Sequence, residues 1–190
     1  MGVAMTDTRE TILAVARATA QAHGYNGLSF RELAKAIGVK SASIHYHFPT
    51  KSDLGVALAK RYWEDTQGTL KRVEAESKNP AACLRNYPAV FRKALETNNR
   101  MCMCGFMSAE YDDLPEPVKV EVKAFADVHV AWLTKVLAEI GIPGNARTRK
   151  RRASAIFAAI WGAQLMARSR ADISVYDEII ESYHASGLIP

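Results

Sequence analysis

Two thiols a residue apart, two imidazoles a residue apart and one short polar run are where this chain of 190 residues could do chemistry. Cys102 and Cys104 stand in the run Met101-Cys102-Met103-Cys104, which admits three readings: soft core packing, a sensing thiolate, or a soft-metal site such as Cu(I). Only Arg100 adjoins the thiols in sequence as a cation that would lower a pKa. A cysteine-dependent enzyme with His129 as its base is a further reading, but no known nucleophile motif surrounds either thiol, and no catalysis is expected. His45 and His47 are two apart, whereas helical ligand pairs need a spacing of three or four to share a face, so neither metal nor cofactor is expected there. The polar run is Lys40-Ser41-Ala42-Ser43, continued by His45 and Tyr46: short hydrogen-bonding groups behind one cation.

These residues need elements to position them, and the periodicity along the chain is helical throughout, which predicts an all-α fold. Apolar residues from Ile12 to Ala20 recur at steps of three and four, placing one face of a helix over residues 8–23, stopped by Gly24. Ser29 and Glu32 have the spacing of a capping box for a second helix running to Ile37. Gly38-Val39 supplies a turn, a third helix spans residues 41–47, and Phe48-Pro49-Thr50 ends it. Thr50 and Asp53 cap the next helix, which reaches about Ser77. Asn79-Pro80 opens another helix, with a kink expected at Pro88. A short segment at 101–111, long helices at 116–140 and 146–168, and a last one at 175–185 complete the reading. Residues 30–48 thus form a helix-turn-helix. Leu33, Ile37, Val39 and Ile44 face a shared core, and the third helix must present Lys40, Ser41, Ala42, Ser43, His45 and Tyr46 outward. Small residues there let the helix axis sit deep in a major groove, where side chains meet base edges.

From Arg9 to Leu54, and above all in Leu28-Ser29-Phe30-Arg31-Glu32-Leu33-Ala34 and Gly38 through Leu54, the chain closely resembles the DNA-binding domain of TetR-family transcriptional regulators. The resemblance implies an N-terminal three-helix helix-turn-helix domain over residues 1–50 and a helical effector-binding and dimerisation domain over 51–190. It also implies a homodimer that binds a palindromic double-stranded DNA operator, acts as a repressor, and is released by a small-molecule effector. Ser29 and Lys51 match positions that contact phosphates from helix N-termini, where backbone N–H groups and the dipole favour an anion. Lys40, Ser41, Ala42 and Ser43 match the groove-reading start of the recognition helix. Tyr46 falls where the family carries an aromatic residue. His45 stands where a Tyr is common, and a titrating imidazole near phosphate would make operator affinity rise as pH falls. The stretch from Cys102 to Ser108-Ala109-Glu110 resembles that of an electrophile-responsive repressor within the family, whose reactive cysteine matches Cys102.

An effector pocket needs an apolar lining with a few polar groups. The middle of the chain offers Tyr87, Phe91, Cys102, Phe106, Met107, Phe125, His129, Trp132 and Trp161, with Glu110 nearby. Plain core packing is the competing reading for each, and His129 also reads as a satisfied core histidine. The helix after Ala146 carries Ala153, Ile156, Phe157, Ile160, Trp161, Gln164 and Leu165. With the helix at 116–140 it would build a four-helix bundle across a two-fold axis; full burial within one subunit is the alternative.

Composition sets the outer bounds. Hydrophobic residues make up 48% and charged residues 24%, so the chain can bury a core. A net charge of +5 permits a polyanionic partner. Both ends are basic and the middle is near neutral, and the basic run Arg147 to Arg152 reads as a solvated helix end. The charge is too moderate for a non-specific architectural nucleic-acid binder, which is the rival class. Three cysteines form no disulfide framework and suit a reducing, cytoplasmic setting. No apolar run is long enough to cross a bilayer. Met1 to Thr6 match a bare myristoylation pattern without the basic cluster that reinforces one lipid chain, so no membrane partner is expected.

Overall fold

Capping, turn and breaker residues set the ends of ten α-helices in the computed structural model, which describes residues 2–190 and their side chains from residue 8 onward. The helices are α1 (Gly2–His23), α2 (Phe30–Ile37), α3 (Ser41–His47), α4 (Lys51–Glu76), α5 (Pro80–Asn86), α6 (Ala89–Glu96), α7 (Met103–Ala109), α8 (Glu116–Glu139), α9 (Ala146–Arg170) and α10 (Ser174–Ala185), with one 3-10 turn at Tyr111–Asp113. No strand occurs among the described residues. The acylation pattern over residues 1–6 lies outside the described side chains. No helix is long and apolar enough to cross a membrane, among the described residues.

The chain divides into two units. The first comprises Met1–Trp63 and Cys102–Phe125, the second Glu64–Met101 and Ala126–Pro190, so α4 and α8 each contribute to both. In the first unit α1 packs on α2 and α7, and α2 packs on α3. Ile12, Ala16 and Ala20 of α1, Leu33 and Ala34 of α2, Ile44 of α3, Leu54 and Leu58 of α4, and Met103, Cys104 and Met107 of α7 are buried. The α2–α3 turn shows why Gly38 stands where it does. Its φ of 79° is left-handed, its N–H reaches the Lys35 carbonyl at 3.3 Å, and the Val39 N–H reaches the Ala34 carbonyl at 3.0 Å. This pair of bonds satisfies the carbonyls that end α2, and only a residue without Cβ takes the conformation freely.

In the second unit α6 and α10 pack on α9. Pro88 does more than kink the chain: it separates α5 from α6, because its ring removes one amide donor and clashes one turn back. Its carbonyl then accepts the buried Tyr176 hydroxyl at 2.7 Å, fixing α10 against this corner. The Arg92 guanidinium grips Asp177 of α10 with two bonds, Nε to Oδ1 at 2.7 Å and Nη2 to Oδ2 at 2.8 Å. Of the two readings of α9, burial within one subunit holds for most of the set, and Leu165 departs from it. Ala153, Ile156, Phe157, Ile160 and Gln164 are buried within this unit, and the outward stripe is instead Ala155, Ala158, Gly162, Leu165 and Met166. The reason is registry: α6 and α10 claim the face that carries the larger side chains.

Candidate nucleic-acid interface and aromatic cluster

Three short elements present the polar run. Ser29 is the extended N-cap of α2 and its Oγ accepts the Glu32 N–H at 3.5 Å. Only that half of the expected capping box is observed, since the Glu32 carboxylate meets Arg31 Nε at 3.2 Å. Lys40 is the N-cap of α3 without a side-chain cap bond, so the first amides of that helix face outward with it. Ile44 is fully buried and holds α3 down. Lys40, Ser41, Ala42, His45 and Tyr46 are consequently exposed, with Ser43 half-buried at their flank. Tyr46 is 70% exposed, more than any other large hydrophobic residue described.

His45 packs its ring edge on Phe30 at 4.8 Å and its Nδ1 lies 3.3 Å from the Pro49 carbonyl, so the turn after α3 orients the imidazole. Thr50 and Asp53 cap α4 reciprocally. The Thr50 amide and hydroxyl donate to Asp53 Oδ2 at 3.0 and 2.7 Å, and the Asp53 amide returns to Thr50 Oγ1 at 3.1 Å. Lys51 follows the cap. Its ammonium donates to the Asn26 carbonyl at 3.2 Å and lies 4.7 Å above the Tyr25 ring. Partial burial pulls its pKa down while Glu110 pushes it back up.

Glu110, expected beside a pocket, is placed elsewhere. Its carboxylate accepts the Tyr25 amide at 2.5 Å and the Asn26 amide at 3.1 Å, and Asp113 accepts Asn26 Nδ2 at 2.8 Å. The segment after α7 therefore clasps the α1–α2 turn. Gly24 makes room for it: its φ is 70°, and a Cβ there would collide with the Glu110 carboxylate.

The remaining expected pocket residues fall into two groups. Cys102, Phe106, Met107 and Phe125 belong to the first unit, where Cys102 is 2% exposed and Phe125 lies 5.3 Å from the Tyr62 ring. Burial raises the Cys102 thiol to about 11, and the amides of Gly105 and Cys104, the Tyr62 hydroxyl and the Arg17 guanidinium only partly oppose it. Burial and the neighbouring Cys102 push Cys104 well above its ordinary value. The geometry favours packing over a poised thiolate.

Tyr87, Phe91, His129 and Trp161 do come together, in the second unit, joined by Trp132 and by Phe157. His129 is 0% exposed and shares a 2.8 Å hydrogen bond with the Tyr87 hydroxyl; burial lowers its pKa to about 3 and keeps the imidazole neutral. Tyr87 stacks on Trp132 at 5.2 Å, His129 on Phe157 at 5.1 Å, and Phe157 tilts against Trp161 at 5.3 Å. The Nε1 atoms of Trp132 and Trp161 are buried and make no hydrogen bond within the chain. Phe157, expected in the inter-subunit bundle of the helix after Ala146, lies instead among these rings.

Residues 12–58 match the model of a family described as bacterial regulatory proteins, tetR family. Among solved structures, the chain is similar to a TetR transcriptional regulator from Legionella pneumophila at 30% identity, covering 94% of this chain and 96% of that one with a TM-score of 0.87. A TetR-family transcriptional regulator from Agrobacterium tumefaciens shares 29% identity over 94% and 96% of the two chains, TM-score 0.86. The reduced form of NemR from E. coli shares the fold at 22% identity, over 96% and 97%, TM-score 0.82. No curated protein sequence matches the chain.

Proposed function

The chain belongs to the TetR family of transcriptional regulators and is a DNA-binding regulator, and from that premise we propose that it acts as a homodimeric repressor whose paired α3 helices read a palindromic operator. Residues 1–50 bind DNA and residues 51–190 bind the effector and the second subunit. The carrying observation is the presentation of α3: one buried anchor, Ile44, and an outer surface of Lys40, Ser41, Ala42, Ser43 and Tyr46. Their small size lets the helix axis approach the base pairs, and their hydroxyls and ammonium pair with base edges. Ser29 and Lys51 grip phosphates beside α2 and α4, with Lys51 exchanging the Asn26 carbonyl for a phosphate oxygen.

Dimerisation uses the outward stripe of α9. Leu165 is 56% exposed and Met166 45%, beside Ala155, Ala158 and Gly162, which let a second helix come close. A small molecule enters the aromatic cluster of the second unit and releases the operator. The free thiols suit a cytoplasmic protein, and no catalytic step is involved.

Selection of bound fragments from genomic DNA tests the reading. A palindrome with half-sites about 34–36 Å apart or more is expected, and Tyr46→Ala should weaken its binding by about 1–3 kcal/mol without lowering thermal stability. Equal affinity for the selected site and a scrambled duplex would overturn it.

A further inference from the structure

We infer that the aromatic cluster of the second unit takes an uncharged, planar ring compound whose oxygens accept hydrogen bonds from the indole N–H groups of Trp132 and Trp161. This rests on the siting of the effector proposed above and adds its chemistry.

The two indoles supply the polar half of the argument. An indole N–H only donates, and both of these are closed off from solvent with no acceptor in reach. The chain satisfies an indole where its role is structural, since Trp63 Nε1 donates to Glu121 at 2.7 Å. Trp132 and Trp161 stand at the two ends of one run of rings, Trp132 on Tyr87 and Trp161 on Phe157, with His129 between. Two uncompensated donors on neighbouring helices α8 and α9, framing the same rings, fit one acceptor-bearing guest better than two independent defects. The Tyr87 hydroxyl and His129 Nδ1 are engaged with each other, which leaves the two indole N–H groups and the second imidazole nitrogen of His129 as the cluster's remaining polar atoms.

The rings supply the apolar half. The Tyr87–Trp132 and His129–Phe157 pairs stack on each other with interplanar angles of 25° and 23°, so a guest must part or extend a stack, and a flat ring is the shape that does so at least loss of ring contact. None of the six residues carries a formal charge at neutral pH, His129 being held neutral by burial. An ionic guest would lose its hydration here without an opposite charge in return.

The test uses the full-length protein labelled with 15N at tryptophan, whose three indole signals are assigned by substitution. Three probes are titrated: coumarin, which is uncharged and accepting; naphthalene, of the same size without an acceptor; and coumarin-3-carboxylate, which is charged. Coumarin should move the Trp132 and Trp161 indole protons downfield and leave that of Trp63 in place. Trp132→Phe and Trp161→Phe keep a ring and delete a donor, so each should weaken coumarin by about fivefold to tenfold, one hydrogen bond's worth, and leave naphthalene unchanged. Should a Phe variant not fold, the isosteric benzothienylalanine in place of the same indole serves instead.

Coumarin binding no tighter than naphthalene, or unaffected by either donor deletion, overturns the ligand class. If the carboxylate binds tightest and shifts the same two indoles, the siting of the effector stands and the chemistry proposed for it falls. If no probe perturbs either indole, the siting falls as well.

Discussion

Cys102 and Cys104 hold their thiols at the start of α7, buried against Tyr62 and among Met103 and Met107. A value near 11 leaves on the order of one Cys102 thiol in a thousand ionised at pH 8, and the reacting species is the thiolate. The expected outcome is that Ellman's reagent at pH 8 labels neither thiol in the folded protein over minutes and labels both within seconds in guanidinium. Rapid native labelling of Cys102 would show the sensing chemistry that the resemblance to an electrophile-responsive repressor implies. The sequence showed two thiols in an apolar run, but not that burial outweighs the Arg17 guanidinium. That cation comes from α1, 85 residues away, and no local pattern announces it.

At the scale of elements, two ties are open to measurement. Glu110→Ala deprives the Tyr25 and Asn26 amides of their acceptor; water replaces it at the exposed Asn26, whereas the part-buried Tyr25 amide left unmade costs about 1–3 kcal/mol. The urea midpoint should fall accordingly, and loosening of the α1–α2 turn should weaken operator binding in parallel. The second tie joins α6 to α10. The Arg92 guanidinium holds the Asp177 carboxyl below its ordinary value, so the folded state binds that proton less readily than the unfolded chain. The contribution is complete above the ordinary carboxylate pKa and fades as pH falls through the depressed one. Asp177 is about half exposed, so solvent screening limits it to under about 1 kcal/mol. Wild type should exceed Asp177→Asn in thermal stability at pH 7, and the difference should shrink as the pH is taken below the ordinary carboxylate pKa.

For the molecule as a whole, the dimer proposed to form through the outward stripe of α9 is open to a direct test. Leu165→Arg places a charge on a face that folding within one chain leaves open, so the protomer should keep its helicity and melting temperature. Sedimentation should then report a monomer, and loss of the second reading head should cut operator affinity by about 100-fold or more. An unchanged dimer would move the interface elsewhere.

What the sequence determined by itself was local. The helical period, the Asn79 and Thr50 caps, the turn at Gly38 and the outward face of α3 depend on residues within four or five positions of each other, and the structure carries them as the spacing predicts. What the tertiary structure alone decided was which distant groups meet. It sent Glu110 to the Tyr25 amide, divided the expected pocket residues between two units, and turned Leu165 outward while Phe157 went in. Apolar side chains at helical spacing state that a face will be covered, but the burial energy they report is non-directional. Which helix covers it follows only when all the faces compete for partners at once.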